Sequence, residues 1–581
     1  MACTSTYRSA LQTARPVQTR GPRKVGACLL FGLISVLTCG PALAMGLFGG
    51  GGGGGGSSPP PPPAPTSQYV APDTVAASAP APAAEAAPPA APAPAPAPVE
   101  PAPAPAPAPT PVEPAPSAPA PAQTTAPSTT YLELPPPPPP PLEPAPAPVP
   151  ASEPTKTSLY PPQGSTGGLP VIPGASGFGI NTKAGRGGTV YRVTNVNASG
   201  TGSLKACIDA TVPRVCVFET SGTIRLTSDM IINNPYITIA GQTAPSPGIT
   251  IRGAGLVIST NDVLVQHLRV RVGDVSDNPD TDRDAVAVVA DRRNVYNVVV
   301  DHVSVSWGTD ELFSTWAGNS YKIYDVTVRN SVFSEALNYS IHSKGEHSAA
   351  FLVGVGTTRF TGVNNVLGYS AWRNPLIRDD CTDVMMVNNF IYRTRGARTD
   401  QINFGDRGPG NLAMRASVVG NNFVLAPGLS ATNTISINSN APSSVTLYQK
   451  NNLGPRYSST NAWAVVDLGG RSQSSVEAGS PPIWAPGVVA MDAADVEAYT
   501  LQYAGARPAD RDAVDKRVIA NLRARQGGII NSQEDVGGWP SLAVNVRPLT
   551  LPANPNVTNV NGYTNLELWL QNMAREVEEG L

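Results

Sequence analysis

Charge is scarce in this chain. Asp, Glu, Lys and Arg together make up 14% of the 581 residues, the formal net charge is −2, and the region after the Pro-rich stretch holds no block of Lys and Arg. Such a balance gives no electrostatic footprint for nucleic acid. Long apolar runs are also missing: Ala27 to Thr38 is the longest near the N-terminus and is too short to span a bilayer. Cysteine is sparse, with Cys3, Cys28 and Cys39 in the leader and only Cys207, Cys216 and Cys381 beyond it. EF-hand ligand spacing is absent. Between Thr189 and Leu453 there is no Asn-Gly or Asp-Gly pair, which argues against a hairpin-built sandwich.

Proline, glycine and alanine are abundant, but unevenly placed. Residues 1–44 read as a secretory signal: Arg8, Arg15, Arg20, Arg23 and Lys24 precede the apolar run, and Ala42-Leu43-Ala44 offers a small-x-small cleavage site. A signal anchor is the alternative. Residues 45–163 read as a linker, first poly-Gly and then Pro/Ala-rich, and such a composition cannot bury a core. The folded part is expected over 164–480, with a C-terminal extension over 481–581. An exported protein, secreted or held at the cell envelope through the linker, is the expected location. In that setting Cys207 and Cys216, bracketing a short segment, are candidates for a local disulfide. Cys381 reads as a buried thiol.

From Thr189 to about Leu453 short β-branched runs alternate with turn residues: Tyr236-Ile-Thr-Ile-Ala, Asp262-Val-Leu-Val-Gln, Asn297-Val-Val-Val-Asp, Tyr324-Asp-Val-Thr-Val-Arg and Asp383-Val-Met-Met-Val. They carry the period of strands. With almost no amphipathic helix between them, recurrence every few tens of residues points to stacked coils, an all-β, right-handed, single-stranded parallel β-helix. Asn364-Asn365, Asn388-Asn389, Asn421-Asn422 and Asn451-Asn452 recur after or within strands. Asparagine tolerates the left-handed region and its amide can stack on the next coil's. Helical periodicity returns at Val514, Val518, Ile519 and Leu522, and Thr564-x-x-Glu567 is a capping box. These short C-terminal helices are expected to pack on the solenoid.

Asp282 and Asp284 stand where a strand-like run begins, two residues apart and so on one strand face, and Asp310-Glu311 falls one coil later by this register, so the four carboxylates could gather as hard oxygen ligands for Ca²⁺. Arg373 and Arg378, five residues apart with Pro375 between them, read as a fixed pair of cations on one loop-strand junction. Taken alone, Lys344, Arg373 and Arg378 are surface cations, and His302, inside Val300-Asp-His-Val, is a structural residue.

Taken together and in order, Val299-Val-Asp301-His302-Val-Ser-Val-Ser, Lys344, Asn364-Asn365, Arg373-x-Pro375-x-x-Arg378 and Asn388-Asn389 resemble the pectate lyase family, polysaccharide lyase family 1, over roughly residues 170–460. Gly241-Gln-Thr-Ala-Pro, Ser203-Leu-Lys and Ser304-Val-Ser-Trp307-Gly-Thr-Asp310-Glu311 resemble its bacterial subgroup. The resemblance implies a pectin lyase-like β-helix that cleaves polygalacturonate, an acidic polysaccharide, by calcium-dependent β-elimination. It implies Arg373 as the proton-abstracting base, Arg378 and Lys344 as substrate-binding cations, and Asp282 and Asp284 as calcium ligands. The family's second acidic pair is spaced four residues apart, whereas Asp310 and Glu311 are adjacent, which leaves open which of them binds metal. A monomer that binds no nucleic acid is expected. Pectin lyase, a lyase for another uronate polymer, and a non-catalytic glycan-binding solenoid are the competing readings. A glycoside hydrolase would need paired carboxylates flanking the scissile bond, and no Asn-Thr-Asp-Gly or Gly-His-Gly motif is present.

Overall fold

The computed structural model describes residues 168–318, 320–394, 402–405 and 412–581. The expected signal and linker lie outside the described residues.

Among the described residues, twenty-seven strands are arranged in three parallel sheets of ten, nine and eight strands, and neighbouring strands in a sheet are three apart in sequence except at two sheet ends, where Thr189–Val193 pairs with Arg214–Phe218 and Ile435–Ile437 with Val466–Asp467. Between these ends the chain visits the sheets in rotation. Ile237–Ala240 lies in the ten-stranded sheet, Ile249–Arg252 in the eight-stranded sheet and Leu256–Ile258 in the nine-stranded sheet, after which Val263–Gln266 returns to the first. This is the expected right-handed parallel β-helix.

Alternation within each strand sends one set of side chains inward. In the ten-stranded sheet Ile237 and Ile239, Val263 and Val265, Val298 and Val300, and Val326 and Val328 are paired in register and fully or almost fully buried in one core. Phe313, Phe333, Phe351 and Phe360 join the same core, with Phe313 and Phe351 stacked 4.5 Å apart. Each such side chain contributes roughly 1.5–3 kcal/mol by leaving water.

The corner from the ten-stranded to the eight-stranded sheet is two residues long in successive coils, as in Asn364-Asn365 and Asn388-Asn389. Its first residue takes the left-handed conformation: φ is 59° at Asn364, 56° at Asn388 and 50° at Asn451. The second position forms the expected ladder. Asn365 Nδ2 donates to Asn389 Oδ1 at 3.1 Å, Asn389 to Asn421 at 2.9 Å and Asn421 to Asn452 at 2.9 Å.

The outward faces of the sheets are also apolar, and other segments cover them. Val171, Ile180 and Ala184 pack on Leu264 and Val299, whereas Trp484, Ala485 and Val488 pack on Met385, Val387 and Val419. Helix α1, Leu204–Asp209, is capped by Ser203 and packs Leu204, Cys207 and Ile208 into the core beside the first strands. The bridge from Cys207 to Cys216 ties this helix to strand Arg214–Phe218, with Cα atoms 6.0 Å apart. Helices α2 (Ala493–Tyr503) and α3 (Ala513–Ala524) lay Val496, Leu501, Val518 and Leu522 on Val332, Val366, Phe390 and Tyr392. Helix α4, Asn565–Glu578, carries the capping box expected at Thr564 and Glu567 and packs Leu566 and Leu570 against Val215, Val217 and Ala240.

Candidate active site

The predicted acids gather at the entering ends of strands in the nine-stranded sheet. Val286 pairs with Phe313, Glu311 with Ala349, and Ala349 with Trp372. Asp284, Glu311 and the Trp372-Arg373 pair therefore stand on successive rungs. Asp284, Asp310 and Glu311 are all buried and bring one carboxylate oxygen each within 4.8 Å of the others.

Each carboxylate is held by neighbours. Asp284 Oδ1 accepts the Glu311 N–H at 3.1 Å and Oδ2 the Ser314 hydroxyl at 2.5 Å. Glu311 pairs with the Arg373 guanidinium, which also lies 4.1 Å over the Trp372 ring. Asp310 Oδ1 faces His347 Nε2 at 2.5 Å and His342 Nε2 at 3.6 Å, and the two imidazoles stack with centroids 4.0 Å apart. Burial alone would raise the Asp310 pKa, but His342 and His347, with Arg373 behind them, hold it well below the usual carboxylate range.

Two expectations need correction. The strand begins at Val286, so Asp282 and Asp284 sit on the loop before it and do not share a strand face. Arg283 fixes that loop by turning inward and donating to the carbonyls of Gly253 and Gly273 at 3.3 and 3.1 Å. Asp282 consequently stands outside the three-carboxylate group and accepts from Ser343, from Oγ at 2.6 Å and from N at 2.8 Å. Burial opposes its charge, but the Ser343 bonds and His342 keep its pKa lowered. The second correction concerns the arginines. Arg373 precedes strand Leu376–Ile377 and Arg378 follows it, so they occupy opposite ends of one short strand rather than a single junction. Arg378 lies 5.2 Å from the Trp316 ring and 3.9 Å from Asp380, away from the carboxylate group.

Lys344 is exposed on the loop that Asp282 anchors through Ser343, and its N–H donates to His342 Nδ1 at 3.1 Å. His342 and His347 were not anticipated at this site. With four histidines in the chain, two of them five residues apart beside Lys344 are the signal that could have pointed here. His302 lies elsewhere, at the corner between the ten- and eight-stranded sheets, consistent with a structural place. Cys381 is buried, donates to the Gly354 carbonyl at 2.9 Å and has its pKa pushed up by burial, so it is no nucleophile.

Comparison with known proteins adds the family. The chain is 31% identical over 452 residues to a probable pectate lyase C of Aspergillus fumigatus, covering 98% of that protein and 73% of this one. It is likewise 31% identical over 436 residues to a probable pectate lyase C of Aspergillus flavus, covering 95% of it and 70% of this chain. The chain belongs to the pectate lyase family. It is a polysaccharide lyase. No protein-family profile matches it. The fungal relatives lend no support to the bacterial subgroup that the short motifs suggested. Among solved structures, the major allergen of cedar pollen aligns with a TM-score of 0.41 at 18% identity, covering 56% of this chain and 91% of that one. A pectate lyase from a Bacillus species in complex with trigalacturonate aligns at 0.38 and 16%, covering 57% and 98%.

Proposed function

We propose that this chain is exported and cleaves polygalacturonate by calcium-dependent β-elimination, with Arg373 as the base. The observation that carries the reading is the convergence of Arg373 with three buried carboxylates on adjacent rungs.

Asp284, Asp310 and Glu311 are hard oxygen donors and fit Ca²⁺. When bound, calcium supplies a Lewis-acid charge that stabilises the enolate character developing on the uronate carboxylate. Asp282 takes a different part, fixing the Ser343-Lys344 turn so that the lysine is presented to an acidic sugar. In the elimination the C5–H bond breaks toward the base, the C4–O4 bond breaks toward the leaving sugar, and a C4=C5 double bond forms.

An arginine serves as a base only in its neutral form, and its pKa normally exceeds about 12. The ion pair with Glu311 favours the charged form. Base function therefore needs the Glu311 charge drawn away from the guanidinium, and Glu311 belongs to the proposed metal set as well. Lys344 adds positive charge on the substrate side and pushes in the same direction. The reaction is expected to favour alkaline pH.

The test follows the ultraviolet absorbance of an unsaturated product on polygalacturonate, with Ca²⁺ and then with a chelator. Growth that the chelator abolishes and added Ca²⁺ restores supports the reading. A folded protein silent on this polymer but active on methylated pectin without metal would replace it with a pectin lyase.

A further inference from the structure

We infer that His267, His302, Asp301 and Glu578 form a second metal site, selective for a borderline divalent ion such as Zn²⁺, that fastens α4 to the solenoid. None of these residues belongs to the candidate active site. His267 and His302 occupy the corner position that asparagines hold in later coils, with φ of 55° and 48°. Their rings stack with centroids 5.0 Å apart and planes within 9°.

Four donor atoms converge here. His267 Nε2 lies 3.1 Å from Glu578 Oε1, and His302 Nδ1 lies 3.0 Å from Asp301 Oδ1 and 3.4 Å from Glu578 Oε1. One atom from each of the four residues lies within 4.8 Å of all the others. Ligands at about 2.0–2.1 Å around a tetrahedral zinc stand roughly 3.3 Å apart. Three of the spacings, 3.0, 3.1 and 3.4 Å, are close to that value.

The tautomer of His267 carries the argument further. Its Nδ1 sits 2.8 Å from the Ala506 carbonyl, which only accepts, so Nδ1 bears the hydrogen. With Nδ1 so engaged, Nε2 is the ring atom that faces the carboxylate oxygen of Glu578. Neither His267 Nε2 nor His302 Nδ1 completes a well-formed hydrogen bond, although His267 is fully buried and His302 only 6% exposed. A metal-ligating histidine ordinarily donates its other N–H to a carbonyl or carboxylate, as His267 does to Ala506. Asp301 is oriented in the same way by Gln266 Nε2 at 2.9 Å and by Arg329 Nε at 3.3 Å. Two nitrogen and two oxygen donors favour zinc over calcium.

The ion has a way in. Asp301, His302 and Glu578 line a cavity of about 1670 Å³ between the segment around Ile172, α2 and α4. Glu578 is the last residue of α4, so coordination pins the end of that helix to the strand corner.

The test uses the full-length protein, stripped with a chelator and resupplied with Ca²⁺. Titration with Co²⁺ is expected to give the visible bands of a tetrahedral nitrogen/oxygen site at one equivalent, displaced by Zn²⁺ and unaffected by millimolar Ca²⁺. His267→Gln and Glu578→Gln are each expected to weaken binding by about 100-fold or more and to abolish the rise in Tm that Zn²⁺ gives the parent. Activity on polygalacturonate is expected to persist in both. A parent protein that shows no cobalt bands and binds no zinc overturns the proposal, as does unchanged affinity in both variants. Should a variant not fold, the titration of the parent decides alone.

Discussion

Arg373 carries the most direct test at the scale of single residues. Replacing it with lysine keeps a cation beside Glu311 but moves the basic nitrogen and removes the fork that reaches carboxylate and substrate together. Turnover of Arg373→Lys on polygalacturonate is expected to fall to near zero with an unchanged circular dichroism spectrum. Normal turnover would remove Arg373 from the base role. The acids separate in the same assay. Asp284→Asn is expected to raise the Ca²⁺ concentration needed for half-maximal rate by an order of magnitude or more, because Asp284 stands within the carboxylate group. Asp282→Asn is expected to raise KM with little change in calcium demand, because Asp282 holds the Lys344 turn. Equal calcium effects in the two variants would return Asp282 to the metal shell. Motif order singled out Arg373, Lys344 and the acids as candidates. It could not show that Arg283 turns inward and so divides the two aspartates, because that depends on carbonyls of Gly253 and Gly273 brought near by the coil.

At the scale of elements, the asparagine ladder and the anchoring of α3 carry the predictions. Asn389 both donates and accepts amide bonds within the ladder and also donates to the Gly362 carbonyl at 3.0 Å. Asn389→Ala would leave buried groups unpaired, each costing roughly 1–3 kcal/mol. The expected readout is a clearly lower Tm, with residual activity at moderate temperature. At α3, Arg269 and Arg271 point outward from strand Leu268–Arg271 yet are fully buried, because Asp512 and Asp515 of the helix start meet them. Removing one member of such a buried pair costs about 3–5 kcal/mol. Burial would raise the Asp512 pKa, but Arg271 and Arg269 depress it well below the ordinary range. A depressed carboxylate stabilises fully above its unfolded pKa, near 3.9, and the contribution fades as pH falls from there toward the folded value. Asp512→Asn is therefore expected to lower Tm strongly at pH 7 and less near pH 3. A constant loss at both pH values would count against the ion pair as its source. Val514, Val518 and Leu522 made this helix legible through their period. Its partner was not, because Arg269 and Arg271 look like solvent-facing residues until the helix that buries them is placed.

At the scale of the whole molecule, the coverings matter as much as the solenoid. Strands such as Val298-Val-Val300 are buried on both faces: Val300 points into the core while Val299 meets the segment from Val171 to Ala184. A chain truncated after residue 480 would bare the faces that α2, α3 and α4 cover, and it is expected to aggregate on expression. A soluble, active truncation would show that the helices are dispensable. The stacking of coils was legible because its signal repeats in every coil. The identity of the covering segments was not, since Trp484-Ala485 and Val171 meet the solenoid through contacts far apart in sequence.

The two kinds of corner divide the labour of change. At the asparagine corner the turn is two residues long, conformationally restricted and bonded to its neighbours, so it tolerates neither insertion nor deletion. Two of the connections into the nine-stranded sheet, residues 272–285 and 335–348, are longer and carry Asp282, Asp284 and Lys344. Lineages descending from this architecture can therefore lengthen, shorten or recharge the second corner while the first keeps the coils in step. New polymer preferences can arise there without a new fold.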